Sequence, residues 1–281
     1  MDLRRLKTIF IFVLLTINLV LGFMLYHVEG KEKEIAAATR NNVEGLLRRD
    51  MIYLAPNLDV PAAPEINNIY LERMSADNEE FAAYLLGGRY TVGSDGVYSN
   101  GGRSLEIRGD EFVYRNSLPD EAIEDFSSKS IEKACRHEME TLGIKSELYM
   151  FGGINQIENG VRAVFTMQHG DDVFFDAYIS FDISKSGIYS ISGKNLISKM
   201  TASARPEKYF NVSSVLLELS KNPDFEKKKQ TTIVSIKHGY YIGRNTETFR
   251  NILAIPVWQI ATDSGEILYY DARNGDYILD K

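Results

Sequence analysis

Nucleophilic, metal and phosphate chemistry each need particular side chains at particular spacings, and in this sequence every such pattern begins and then fails. His27, His137, His169 and His238 are scattered, and neither H-x-x-x-H nor C-x-x-C occurs, so nothing gathers the clustered His, Cys and carboxylate ligands of a metal centre. Ser130 and Lys133 have the S-x-x-K spacing that puts a hydroxyl and an amine on one helix face. Serine enzymes of the penicillin-binding type also carry S-D-N and K-T-G elements, and both are missing. Gly187 is followed by five residues, not four, before Gly193-Lys194, and Asn195 stands where a phosphate loop has Ser or Thr. Glu138 and Glu140 are two apart on an expected helix and do not face each other. The turn Gly170-Asp171-Asp172 beside His169 could hold a cation weakly, but its pattern is that of a solvated hairpin loop. Cys135, the single cysteine, excludes an internal disulfide and lies in the apolar-patterned stretch 131–142, where a small buried residue belongs. The chain is therefore read as a non-enzyme with no catalytic residue, no cofactor and no metal.

The residues left with something to do are Thr16, Asn18 and Gly22, because of where they lie. Thr8–Tyr26 is nineteen residues without a charge, and a helix of that length spans about 28 Å, close to a bilayer's hydrocarbon core. Arg4, Arg5 and Lys7 precede it, so the positive side, and with it the N-terminus, is expected in the cytoplasm. No A-x-A site and no lipid-accepting Cys follows, which favours a retained anchor over a cleaved signal peptide. Within hydrocarbon, helices associate by close packing and polar contacts. Asn18 and Gly22 share a face, and a buried amide seeks a partner. These three residues are the expected partner-binding surface.

The tail's three cations against Asp2 make +2, so the net −7 of the 281-residue chain leaves −9 beyond it. An acidic external part argues against nucleic acid and against anionic lipid as partners. About 255 external residues are enough for two or three small cores. The expected layout is a cytoplasmic tail (1–7), the transmembrane helix (8–26), a juxtamembrane helix (27–50) and an N-terminal extracellular α/β segment (51–118). Two helix-plus-sheet domains follow (119–203 and 204–281). Pro56, Pro61 and Pro64 keep 55–66 extended. Asp77 caps a short helix ending at Gly87-Gly88, and turn residues punctuate strands at 89–115. Pro119 is expected to open a helix to Leu142, followed by strands at 145–151, 161–169, 172–184 and 187–192, and Pro206 another to Leu219, followed by strands at 231–242, 254–262, 266–272 and 276–279. VFFDA (173–177) is echoed by LYYDA (268–272). The fold class expected is α+β: one N-terminal transmembrane helix, then extracellular repeats of a helix packed on an antiparallel meander.

Both ends of the chain resemble the YycI family. At the start these are Met1-Asp2, the basic cluster Arg4/Arg5/Lys7, Thr8–Ile11 and Asn18-Leu19. Near the end they are Gly239-Tyr240-Tyr241, Pro256-Val257-Trp258-Gln259-Ile260, Tyr269-Tyr270-Asp271-Ala272 and Asn274-Gly275. Gln259 and Asn274 depart from the family, which has Arg after the Trp and Thr-Gly near the end; residues 50–230 match in pattern only. The resemblance implies a membrane-anchored accessory protein of the essential cell-wall two-component system in low-GC Gram-positive bacteria. Such a protein acts with its sister YycH on the sensor histidine kinase WalK (YycG), largely through membrane helices, and brings no catalytic or cofactor residues. A competing expectation is an extracellular cell-wall or ligand-binding sensor module using an aromatic sheet surface at Tyr240, Tyr241, Tyr269 and Tyr270.

Overall fold

A computed structural model describes residues 14, 15, 17, 18, 42–58, 60, 61, 65–75, 77–119, 121–203, 207, 208, 210–221, 230–243 and 251–278. The run Thr8–Tyr26 lies outside the described residues except for Leu14, Leu15, Ile17 and Asn18, which are helical and exposed. Among the described residues no helix is long and apolar enough to cross a membrane.

Helical residues 42–47 (α1) and a 3-10 turn, Arg48–Asp50, lead into β1 (Ile52–Leu54), β2 (Glu65–Ile66), β3 (Ile69–Arg73) and α2 (Asn78–Leu86). Then come β4 (Thr91–Val92), β5 (Tyr98–Asn100), β6 (Arg103–Arg108), β7 (Glu111–Asn116) and α3 (Ser128–Thr141). The middle of the chain gives β8 (Tyr149–Ile157), β9 (Gly160–His169), β10 (Asp172–Ser184), β11 (Gly187–Lys194), β12 (Ile197–Ala202) and β13 (Glu207–Lys208). The last part holds α4 (Val212–Leu219), β14 (Thr231–Tyr241), β15 (Asn251–Leu253), β16 (Ile255–Thr262), β17 (Ile267–Asp271) and β18 (Tyr277–Ile278). The protein is mixed α+β, mostly antiparallel sheet with few helices.

After α3 the chain runs β8-β9-β10-β11, each strand antiparallel to the next. After α4 it runs β14-β16-β17-β18 in the same way, with β15 diverted to pair with β3. The two meanders meet where the start of β10 lies parallel to β14, Val173 opposite Gly239 and Phe174 opposite Tyr240. A Cβ on Gly239 would stand 2.4 Å from the Val173 carbonyl oxygen and 2.6 Å from the Phe175 ring, so the junction needs glycine there. Strands β7, β6, β5 and β4 extend the sheet beyond β11, and β1 adds to β14 in parallel. The order β12-β3-β15 forms a second sheet.

Two apolar cores follow from these layers. The larger holds Ile131, Cys135 and Met139, the i, i+4, i+8 stripe of α3, against Phe165, Phe181 and Ile179 of its meander, with Phe81 and Leu85 of α2 beside them. The smaller packs Val215, Leu216 and Leu219 of α4 on Trp258, Ile260 and Tyr270. It also takes in Val43 and Leu47 of α1. The end of the expected juxtamembrane helix is thus seated in a core, not a solvated spacer.

β9, β10, β11, β14 and β16 fall within two residues of the sequence expectation, β8 lies further along than expected, β1, β2, β3, β12, β13 and β15 have no counterpart in it, and two helix starts are displaced. α2 is capped by Asp77, which accepts from the Glu80 N–H at 2.7 Å, and ends at Gly87 with φ 81°. α3 starts at Ser128, not at Pro119, because Ser127 is its N-cap and residues 121–126 run as an irregular strap whose Ile123 N–H donates to the Lys185 carbonyl at 3.1 Å. α4 starts at Val212, not Pro206, because Glu207 and Lys208 pair with β2 and Asn211 caps the helix.

Candidate functional site

Of the expected partner-binding residues, Thr16 and Gly22 lie outside the described residues, and Asn18 is exposed on a helix together with Leu14, Leu15 and Ile17. The structure has a polar centre elsewhere.

That centre lies where β10, β11 and the end of β14 converge. Asp176 is 5% exposed and accepts from the Ile242 N–H at 2.8 Å and the Gly243 N–H at 2.9 Å. Asn195, held at φ 55° in the left-handed region that asparagine tolerates, donates through Nδ2 to the Asp176 carbonyl at 3.0 Å and accepts from Arg73 Nη2 at 3.3 Å. Beside it the buried Lys194 ammonium stands 3.4 Å from Asp110 Oδ2. Burial pushes the Asp176 carboxyl up to about 6, against the pull of the two backbone donors and Lys194. A cavity of about 80 Å³ opens between this cluster and the N-terminus of α2, lined by Arg73, Asp77, Asp110 and Asn195 among others.

Chemically the cluster is a clamp. Each Asp176 oxygen accepts from a backbone N–H group, and Lys194 faces Asp110. No chemical motif marks Asp176 in the sequence; the one signal at that position is the repeated aromatic-aromatic-Asp-Ala, which on its own reads as a structural echo. Gly193-Lys194-Asn195, set aside as a phosphate loop, is part of the clamp: a Cβ on Gly193 would meet the Phe112 ring and the Tyr178 carbonyl, each at 2.7 Å.

The remaining sequence candidates also resolve into structural roles. Ser130 Oγ donates to Asp125, which accepts from the Ser127 hydroxyl and N–H as well, while Lys133 is exposed. That network is a helix start, and it holds the Asp125 carboxyl below its ordinary value. Asp172 of the acidic turn meets His238 Nδ1 at 3.0 Å, and His238 in turn packs edge-on against Trp258. Burial pushes the Cys135 thiol far up, so it stays a protonated core residue. Among the described residues no group of three His, Cys, Asp or Glu is placed to hold a metal. Tyr240, Tyr241 and Tyr270 are 1–3% exposed, and of the four expected surface tyrosines only Tyr269 is partly exposed, so these four do not form an aromatic surface together.

No family model and no curated protein matches this chain. Among solved structures it is similar to an uncharacterized protein from Eubacterium rectale, at 12% identity and a TM-score of 0.48, over 83% of this chain and 92% of the other. It is also similar to the Bacillus megaterium YpeB C-terminal domain, at 10% identity and a TM-score of 0.35, over 73% of this chain and 96% of that domain.

Proposed function

We propose that this chain is a membrane-anchored accessory regulator of the sensor histidine kinase WalK (YycG), acting beside a YycH-like protein through contacts of its transmembrane helix. The observation that carries the reading is the uncharged run Thr8–Tyr26 behind a basic tail, with Thr16, Asn18 and Gly22 as its polar and small positions, in a chain whose ends resemble YycI. Gly22 lets a neighbouring helix approach closely, and the Asn18 amide, one turn away on the same face, gains a partner when it does. In this reading residues 27–281 are extracellular, with 119–203 and 204–281 as two helix-plus-meander units. The partners are proteins and the membrane, not nucleic acid. The clamp at Asp176 supports the shape of the external part and performs no reaction.

The double variant Asn18→Leu with Gly22→Leu tests this. Co-purification with WalK from membranes should weaken about 3- to 30-fold, since an interhelical polar contact in lipid contributes about 0.6–2 kcal/mol. Kinase output should shift with it. If association and output both stay at wild-type level, the helix is only an anchor and the reading falls.

A further inference from the structure

A sheet edge presents unpaired N–H and C=O groups, and proteins usually protect it by keeping it short or by placing charge on it. Most edges in this protein follow that rule. β4 and β18 have two residues, β1 and β15 three, β12 carries Lys199, and the outer half of β6 carries Glu106 and Arg108. β8 departs from it, with only an irregularity in its pairing between Phe151 and Gly153 and the Arg136 guanidinium donating to the Tyr149 carbonyl at 3.4 Å. Its nine residues, YMFGGINQI, contain no charge and no proline, and β9 is its only strand partner among the described residues. Met150, Gly152, Asn155 and Gln156 are exposed along it, while Phe151 and Ile154 lean on the larger core and keep the strand fixed. Charge begins just outside the strand. Glu147 and Glu158, both exposed, bracket it, with Lys145 further out.

We propose that the open edge of β8 receives an extended segment of a partner protein, uncharged along its centre and basic at both ends. Such a segment would continue the ladder with backbone hydrogen bonds and set a Lys or Arg beside Glu147 and another beside Glu158. A second copy of this chain is a poor occupant. Antiparallel pairing of β8 with itself brings the Glu147 end of one strand to the Glu158 end of the other, and like charges facing each other destabilise a strand pair.

Hydrogen exchange of the full chain in detergent micelles, read by mass spectrometry over 149–157, tests the proposal. The probes are Thr/Val strand peptides as long as β8, flanked by lysines, flanked by glutamates, or interrupted by proline. The lysine-flanked peptide should slow exchange over β8 several-fold, and the other two should not. Asn155→Lys, at an exposed position, should abolish the slowing without lowering the melting temperature, and Glu147→Gln with Glu158→Gln should weaken it. The proposal is overturned if the lysine-flanked peptide leaves exchange unchanged or if the glutamate-flanked one works as well. Protection that rises with protein concentration alone would assign the edge to a second copy and overturn it too.

Discussion

VFFDA in β10 and LYYDA in β17 occupy the third strand of their respective meanders, yet their aromatic pairs face opposite ways. In β17 the second ring, Tyr270, is 1% exposed and lies in the core, while Tyr269 is half-exposed. In β10 the first ring, Phe174, is fully buried and Phe175 is half-exposed. The cause is an irregularity in the pairing of β10 with β9, between Val173 and Tyr178. It shifts the period-2 alternation by one residue, so that Phe174 shares the core with Ala177, Ile179 and Phe181. Upstream of the shift β10 pairs with β14, and Phe174 stacks on Tyr240 at 5.1 Å. The half-exposed rings then meet across the junction, Phe175 against Tyr269 at 5.6 Å. Similar letters serve one strand that stays in its meander and one that bridges to another.

The largest effects should expose that inversion. Phe174→Ala and Tyr270→Ala each remove a fully buried ring and should cost about 3–5 kcal/mol, read as a fall in the urea midpoint. Phe175→Ala and Tyr269→Ala, at the aligned but outward positions, should cost about 1 kcal/mol, near the value of one aromatic pair. If aligned positions instead respond alike, the two strands share a register and the inversion is wrong.

A smaller effect separates the two aspartates. Asp271 accepts from the Arg273 N–H at 2.8 Å and pairs with its guanidinium, which is 40% exposed. Replacing it with Asn keeps an acceptor for the Arg273 N–H but takes the charge of a buried carboxylate from its guanidinium, and should cost about 1–3 kcal/mol. Asp176 is equally buried but accepts from two backbone N–H groups rather than from a guanidinium, and its carboxyl sits near 6. A carboxyl with a folded pKa above its unfolded one binds its proton more tightly when folded. Its contribution to stability is therefore least above pH 6 and grows as pH falls from about 7 toward 4, by about 1–3 kcal/mol. Asp176→Asn should remove this rise from the stability profile. The low-pH limit of the window comes from Asp125 and Asp263, whose carboxyls are held below their ordinary value by hydrogen bonds and whose protonation destabilises the fold. A variant profile parallel to wild type between pH 7 and 4.5 would remove Asp176 from this role.

Much of this architecture is legible in the sequence because it rests on local signals. Turn residues and aromatic alternation mark β9, β10, β11, β14 and β16 nearly to the residue, and Asp77 with Gly87-Gly88 brackets α2. What was not legible depends on distant partners. β1 exists because Ile52–Leu54 finds Thr231–Ile233, and β3 because it lies between β12 and β15. The clamp is hidden for the same reason. Asp176, Asn195 and Arg73 lie far apart in the chain, and no spacing rule unites a carboxylate with two backbone donors from the end of β14.

The helix starts differ from the sequence expectation, and their caps can be tested in the same way. Proline followed by acidic residues is a fair signature of a first helical turn, and Pro119 with Asp120 and Glu121 bears it, while Pro206 restarts the helix-then-strands pattern. The structure gives the starts to Ser127 and Asn211, whose side chains accept from the N–H three residues on, at 3.4 Å for Ser130 and 2.9 Å for Ser214. Losing such a cap costs about 0.5–2 kcal/mol. Asn211→Ala should lie near the middle of that range, because its bond is short and Oδ1 also accepts from the Ser214 hydroxyl. Ser127→Ala should lie at the low end, because Asp125 remains to hold the Ser130 hydroxyl. Asp125→Ala together with Ser127→Ala should then exceed the sum of the single changes, since each supports the other. Thermal melts of the four variants test the order. Simple additivity would mean that Asp125, Ser127 and Ser130 act separately, and that no shared network fixes Ser130 beside the carboxylate.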